Sequence, residues 1–409
     1  MARGRQRRFF LYTMADMSDT ICVLGREEAL SVAELEAVFG PEHVQGLTIE
    51  TALVQAEISP TAFRRLGGTQ KIANVLTTVA TMDEATKWLS AERIGEILGE
   101  DGRDLGLSLY GVSPRVKQSL GRVMLTRKKE ARAQGHAIRI VTSREPHLSA
   151  VTVQRQGLLR HGAEIVIVQT DNNVVIGKTT AVQDYQSYGL RDFGRPAADA
   201  RSGMLPPKVA QIMLNIAQVT PDDILLDPFC GSGTILQEAA LMGVEHLRGS
   251  DTSQRAVRDT QKNMRWLVQE FPDLQVDAEI ILEDATHGTF RPTVIVTEPF
   301  LGKPMRGHES FAELHHQANE LRTLYAATFS HWARVLASES RVVMIWPDFP
   351  DAESRLTTPL LNDIERFGFR VAPVLSATNA HLYQASETMV KYAREQAIVK
   401  RQIRRFIKK

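Results

Sequence analysis

The chain has 409 residues, 43% of them hydrophobic and 24% charged, which supplies two or three cores and excludes a disordered or fibrous chain. No apolar run approaches a membrane span, and the basic start at residues 1–8 precedes too short an apolar stretch for a signal-peptide core. Its two cysteines, Cys22 and Cys230, make no disulfide framework, and no cluster has zinc-ligand spacing, so a cytoplasmic protein without a metal is expected.

Strand patterns cover residues 9–13, 21–24, 47–56 and 70–79. Ser31 with Glu34 three residues on reads as a capping box that opens a helix. A short helix is expected from 60 to 66. This alternation predicts a small ferredoxin-like α+β domain over 1–82. A second domain is expected over 83–184. It has a strand over 105–111 ending in glycine, and a long basic helix over 114–134 stopped by Gly135. Further strands are predicted at 138–142, 164–169 and 174–180, with a helix over 151–159. Residues 185–207 read as a linker and 395–409 as a basic tail.

From residue 209 onward helix and strand patterns alternate. Strands are predicted at 224–226, 247–250, 278–282, 293–297, 341–346 and 370–374. That alternation predicts a doubly wound, mostly parallel α/β sheet over 208–394.

The formal net charge of +1 hides two basic blocks. Residues 114–144 hold nine Lys or Arg against one acid, and residues 391–409 hold eight against one. Two such blocks in a nearly neutral chain point to a polyanion at defined surfaces. Arg115, Lys117, Arg122, Arg127, Lys128, Lys129 and Arg144 are the candidate phosphate contacts.

The most informative word is Asp227-Pro-Phe-Cys-Gly-Ser-Gly-Thr234, which joins an apolar strand to a helix. A strand, an acid, a glycine-rich turn and a helix start hold a nucleoside-bearing cofactor in Rossmann-like sheets. The third glycine of the dinucleotide fingerprint is missing, which excludes the nicotinamide reading. Gly231 and Gly233 let a ligand approach the backbone, and the helix start near Thr234 presents free N–H groups to an anionic end. Asp227 can face a cationic part. Asp251, 24 residues further on, stands where an acid reaches ribose hydroxyls. Asp284 ends the third strand and can accept from an adenine amino group.

The fourth strand ends in Thr297-Glu-Pro-Phe300. Methylating an exocyclic base amine requires acceptors for its N–H groups and a fixed line of attack, because the nitrogen lone pair is delocalised into the ring. Glu298, a carbonyl beside Pro299, and the ring of Phe300 offer those features, the last for stacking on an extruded base. An ionised glutamate only accepts, which suits the N1–H and amino edge of guanine better than adenine.

With these residues in view, the chain resembles the THUMP-domain tRNA methyltransferases, and within them the guanine-N2 group acting on guanosine ten. Asp227-Pro-Phe229 and the glycine turn resemble motif I of S-adenosylmethionine-dependent methyltransferases. Residues 23–37 resemble that family's N-terminal ferredoxin-like region. Leu107-Ser-Leu-Tyr-Gly111 with Lys117, and Val141-Thr-Ser-Arg-Glu-Pro146, resemble the THUMP pattern. The word Arg191 to Lys208 resembles the segment leading into the catalytic domain, so the resemblance implies Pro206, Pro207 and Lys208 as pocket-wall residues. Thr297-Glu-Pro-Phe300 departs from the family's Asp/Asn-Pro-Pro-Tyr/Phe. The resemblance implies a class I methyltransferase fold, S-adenosyl-L-methionine as donor and tRNA as partner, with the N-terminal domains gripping the acceptor end. The sequence leaves open another RNA target (adenine N6 or an rRNA guanine), a catalytically weakened tRNA-binding protein, a small activating protein partner, and monomer or dimer.

Overall fold

The computed structural model describes residues 19–197, 204–393 and 399–409, so the strand expected at 9–13 lies outside it. The chain divides into two compact units. One comprises residues up to 28, 42–64 and 69–185, and the other comprises 29–41, 65–68 and 186–409.

The first unit is built on β1 (Thr20–Leu24), β2 (Val44–Thr48), β3 (Thr51–Val54), β4 (Thr69–Val79), β5 (Asp104–Tyr110), β6 (Arg139–Val141), β7 (Gly162–Gln169) and β8 (Val174–Val182). They form one 8-stranded sheet in the order β2-β3-β1-β4-β8-β7-β5-β6. Hydrogen bonding runs across the boundary expected at residue 82, because β4 pairs with β8. The strand predicted over 47–56 is a hairpin instead. Ile49 sits at its turn, 62% exposed, and its apolar character conceals the break. Beneath the sheet, buried Lys71 donates to Glu164 at 2.6 Å and to the Leu148 carbonyl at 2.8 Å, while Thr179 donates to the other Glu164 oxygen at 2.6 Å. Buried charges are tolerated only when paired and hydrogen-bonded in this way.

The long basic helix is Pro114–Ala133, with Ser113 as its N-cap. Arg115, Arg122, Lys128, Lys129 and Arg144 are exposed. Lys117 and Arg127 are half-buried and engaged: Lys117 donates to the Arg144 carbonyl at 3.0 Å, and Arg127 to Glu130 at 2.8 Å.

The second unit carries β9 (Ile224–Asp227), β10 (His246–Asp251), β11 (Asp277–Leu282), β12 (Val294–Thr297), β13 (Arg341–Asp348), β14 (Phe369–Ala372), β15 (Val390–Tyr392) and β16 (Lys400–Lys408). The sheet order is β11-β10-β9-β12-β13-β16-β14, with β15 added beside β16. The pairs from β11 to β13 are parallel, and β16 runs antiparallel between β13 and β14. This is a doubly wound sheet whose order reverses between β9 and β12. Tyr325, Phe329, Trp332, Trp346, Phe369 and Phe406 form the centre of a core on one of its faces.

Three expectations are corrected here. The basic tail over 395–409 is, from Lys400, an interior strand; residues 395–398 lie outside the described residues. Its cations are absorbed locally. Arg404 packs over Trp346 at 5.3 Å, Lys408 over Phe369 at 5.3 Å, and Arg405 donates to Gln218 at 2.6 Å. The linker over 185–207 begins with the helix Tyr185–Phe193, whose Arg191 pairs with buried Glu238 at 2.7 Å. Ser31 and Glu34 make no capping box, because the helix already begins at Glu28 and both side chains are buried inside it.

That helix, Glu28–Phe39, belongs to the second unit from residue 29 onward and binds it through two carboxylates. Glu34 accepts from the backbone N–H of Gly67 and Gly68 at 2.8 Å each, and from Asn215 at 2.7 Å. Glu36 accepts from the Ser376 N–H, the Ser376 hydroxyl and Asn379, all at 2.6 Å. Removing one carboxylate strands several buried donors. Glu36→Ala is therefore expected to destabilise the second unit by about 3 kcal/mol. Denaturant unfolding with a loss below about 0.5 kcal/mol would contradict that role.

Candidate active site

Asp227 ends β9, and the glycine turn after it is shaped by its neighbours. Gly231 and Gly233 adopt φ values of +54° and +81°, the left-handed region that favours glycine. At Gly233 a Cβ would also stand 2.8 Å from the Thr260 methyl. The turn is closed by Thr260, whose hydroxyl donates to the Gly231 carbonyl at 2.9 Å, and by Asn263, which donates to the Ser232 carbonyl at 2.9 Å. The helix Thr234–Leu241 follows, with Gly233 as its N-cap.

The strand ends converge on a cavity of about 790 Å³. Its walls include Asp227, Phe229, Gly231, Thr234, Asp251, Asp284, Glu298, Pro299 and Phe300. Thus four residues of the 227–234 word, two further acids and the Glu-Pro-Phe corner, named separately from sequence, meet in one crevice. Pro206 and Lys208 do not line it. Pro206 is the N-cap of the helix Pro207–Ile216, and the Lys208 ammonium sits 5.0 Å from the Tyr188 ring. The preceding Met204 and Leu205 face the cavity in their place. Gly233 shapes the turn without lining the cavity.

Asp227 is buried. Its Oδ1 accepts from the Phe229 N–H at 3.2 Å and from the Thr297 hydroxyl at 2.7 Å. Burial pushes this carboxyl up to about 7 against those two donors, and the charges of Asp251 and Glu298 add to the rise. Asp251 holds the turn from the next strand, accepting from the Gly231 N–H at 3.1 Å and the Ser253 N–H at 2.8 Å. Asp284 accepts from the Thr286 hydroxyl at 2.6 Å and its N–H at 2.8 Å, which holds it below the usual carboxylate range.

At the second corner Glu298 follows β12 directly. Its Oε1 accepts from Arg401 Nε at 2.5 Å. Pro299 is buried, the Phe300 ring is 54% exposed, and the Phe300 carbonyl accepts from buried Tyr325 at 2.6 Å. The corner is therefore anchored from the helix Phe311–Val335 beside it. Sequence reasoning missed Arg401 as a site residue and counted it into a surface block. The alternation of Gln402 and Ile403 with Phe406 and Ile407 was the available strand signal. It also read Thr297 only as a departure from a motif, whereas its hydroxyl joins β12 to Asp227.

Residues 195–372 match the family model described as an RMKL-like methyltransferase domain. This segment is thus similar to the methyltransferase domain of that family. The tRNA (guanine(10)-N2)-dimethyltransferase of Methanothermobacter thermautotrophicus is 38% identical over 101 residues, covering 24% of this chain and 28% of that protein. The protein of the same description from Pyrococcus abyssi is 30% identical over 194 residues, covering 47% and 52%. The chain thus spans about a quarter to a half of the curated relatives it matches. Among solved structures, TrmN from Thermus thermophilus superposes with a TM-score of 0.53 at 15% identity, covering 96% of this chain and 100% of that one. A possible methylase from Clostridium difficile 630 gives 0.51 at 12% identity, covering 96% and 98%. These establish the Rossmann-like class I methyltransferase fold. Among the described residues no helix is long and apolar enough to cross a membrane.

The acids fit S-adenosylmethionine, which carries a sulfonium and an ammonium. A cation beside Asp227 favours the ionised carboxylate, so below pH 7 its binding must expel a proton. Donor affinity is expected to weaken about tenfold between pH 8 and pH 6, and Asp227→Asn to flatten that dependence. Calorimetry giving the native protein equal affinity at both pH values would contradict the assignment.

Proposed function

We propose that this protein transfers the methyl group of S-adenosylmethionine to the exocyclic N2 of a guanosine in tRNA. The observation that carries the reading is the juxtaposition of two strand ends at one cavity. Asp227 and the glycine turn stand at β9, and Glu298-Pro-Phe300 stands at β12. Such a crevice, at the point where strand order reverses, is where open α/β sheets bind ligands.

The donor supplies an electrophilic methyl carbon attached to sulfur. The turn at Gly231 and the helix start at Thr234 would take its carboxylate, with Asp227 beside its cationic part. Asp251 would accept from the ribose and Asp284 from the adenine amino group. Glu298 would accept N–H bonds from the guanine amino and N1 positions and hold the amine in line with the methyl carbon. As the nitrogen attacks, the carbon–sulfur bond breaks to leave a neutral thioether, and the nitrogen would shed one proton to the Glu298 carboxylate that accepts its N–H. The exposed ring of Phe300 would stack on the base. Adenine would instead set a ring-nitrogen lone pair against the carboxylate, which disfavours it.

The unit of residues up to 185 would hold the RNA as a THUMP-like region. Exposed Arg115, Arg122, Lys128, Lys129 and Arg144 would meet phosphates there. Lys117 and Arg127 would first have to leave their present partners. The description of the matched relatives as tRNA guanine-N2 enzymes supports both the RNA class and the acceptor atom.

The test is incubation of the full chain with labelled methyl donor and bulk tRNA, followed by digestion to nucleosides. Label is expected in N2-methylated guanosine. Label in N6-methyladenosine, or in no nucleoside at all, would contradict the reading.

A further inference from the structure

The cavity is crowded with acids: Asp227, Asp251, Asp259, Asp284 and Glu298 all line it, against the two cations Arg255 and Arg401. Of those cations, Arg401 is the one joined to the catalytic corner. Its Nε–H meets Glu298 Oε1 at 2.5 Å with both side chains largely buried, 13% and 16% exposed. Its origin is a rigid one. In β16, Arg401 is in register with Pro347 on β13 and with Tyr392 on β15, and its guanidinium lies 5.9 Å from the Tyr392 ring. The sheet itself therefore aims this group at Glu298.

Glu298 needs such a partner for two reasons. It has one more rotatable bond than an aspartate at the same corner, so holding one oxygen within a few tenths of an ångström of a reacting amine costs more rotamer freedom. It also stands among other carboxylates, and a cation beside it offsets their mutual repulsion where it presents acceptors to the N–H groups of a base. The bond from Nε engages Oε1 of a carboxylate that has about four lone-pair directions in all.

We propose that Arg401 is the positioning residue of the transfer site: it fixes the Glu298 side chain in one conformation and supplies the counter-charge that keeps a carboxylate facing the base amine. It acts through Glu298, and the proposal rests on the methyl-transfer reading above. The corner differs from an Asp-Pro-Pro corner in a way that makes the cation necessary, so the longer acid and the arginine form one device.

The test compares full-length native protein, Arg401→Met, Arg401→Lys, Glu298→Gln and the double variant Arg401→Met/Glu298→Gln in single-turnover methyl transfer to tRNA. Arg401→Met is expected to lower the transfer rate about 30- to 100-fold while donor affinity and the KM for tRNA stay close to native. Arg401→Lys, which keeps the charge, is expected to recover at least a third of that loss on a logarithmic scale. In the Glu298→Gln background, Arg401→Met is expected to cost less than threefold more, because the group it orients is already altered. Additive losses would overturn action through Glu298. Equal impairment by Met and Lys with a lowered melting midpoint would reduce Arg401 to a packing role. A full-rate Arg401→Met variant would overturn the assignment alone, whereas a native protein that methylates no tRNA would overturn the enzymatic reading together with it.

Discussion

The reversal of strand order between β9 and β12 is the constraint on which the site depends. Parallel strands present all their carboxyl ends on one edge, and at the reversal the two connections leave in opposite directions. A crevice opens there without any residue being removed to make it. The chain uses both lips of that crevice. One carries Asp227 and the glycine turn, and the other carries Glu298. The hydrogen bond from Thr297 to Asp227 ties the lips together at 2.7 Å. Chemistry that needs a donor and an acceptor held face to face is thereby assigned to two neighbouring strands of one sheet.

That economy has an electrostatic consequence. Carboxylates from successive strand ends meet in a half-buried space, and Asp227 is pushed up to about 7 chiefly by its burial, with the charges of Asp251 and Glu298 adding to the rise. At Glu298 the response is a cation instead. It comes from β16, the antiparallel strand that closes the gap between β13 and β14. A strand with five Lys or Arg among its nine residues is an unusual sheet interior. It is stable here because its cations find an acid, aromatic faces and backbone or amide oxygens within reach. The second unit also draws on residues 29–41, through Glu34 and Glu36, so its integrity depends on sequence that lies between β1 and β2 of the first sheet.

Much of the second unit was legible in the sequence. β9, β10, β12 and β13 were located to within a residue or two because buried parallel strands are short apolar runs closed by turn residues, and the exposed edge strand β11 was located through its Ile280-Ile281-Leu282 run. Asp227, Asp251, Asp284 and Glu298 could be named because each follows such a run. β16 was not legible as an interior strand, since arginines at 401, 404 and 405 look like a solvated tail until the partners that neutralise them are known. Ser31 and Glu34 matched a local capping pattern, but the helix begins earlier and tertiary donors claim Glu34. Lys208 was placed at the pocket by family likeness, and Tyr188, more distant in sequence, takes it away.

The proposed transfer depends above all on the acceptor charge at residue 298. The most direct measurement is the single-turnover rate of methyl transfer to tRNA by Glu298→Gln, taken beside its affinities for donor and RNA. The expected result is a rate at least about 100-fold below native with both affinities within about twofold. A native rate in that variant would contradict the claim that this carboxylate holds the guanine amine for attack.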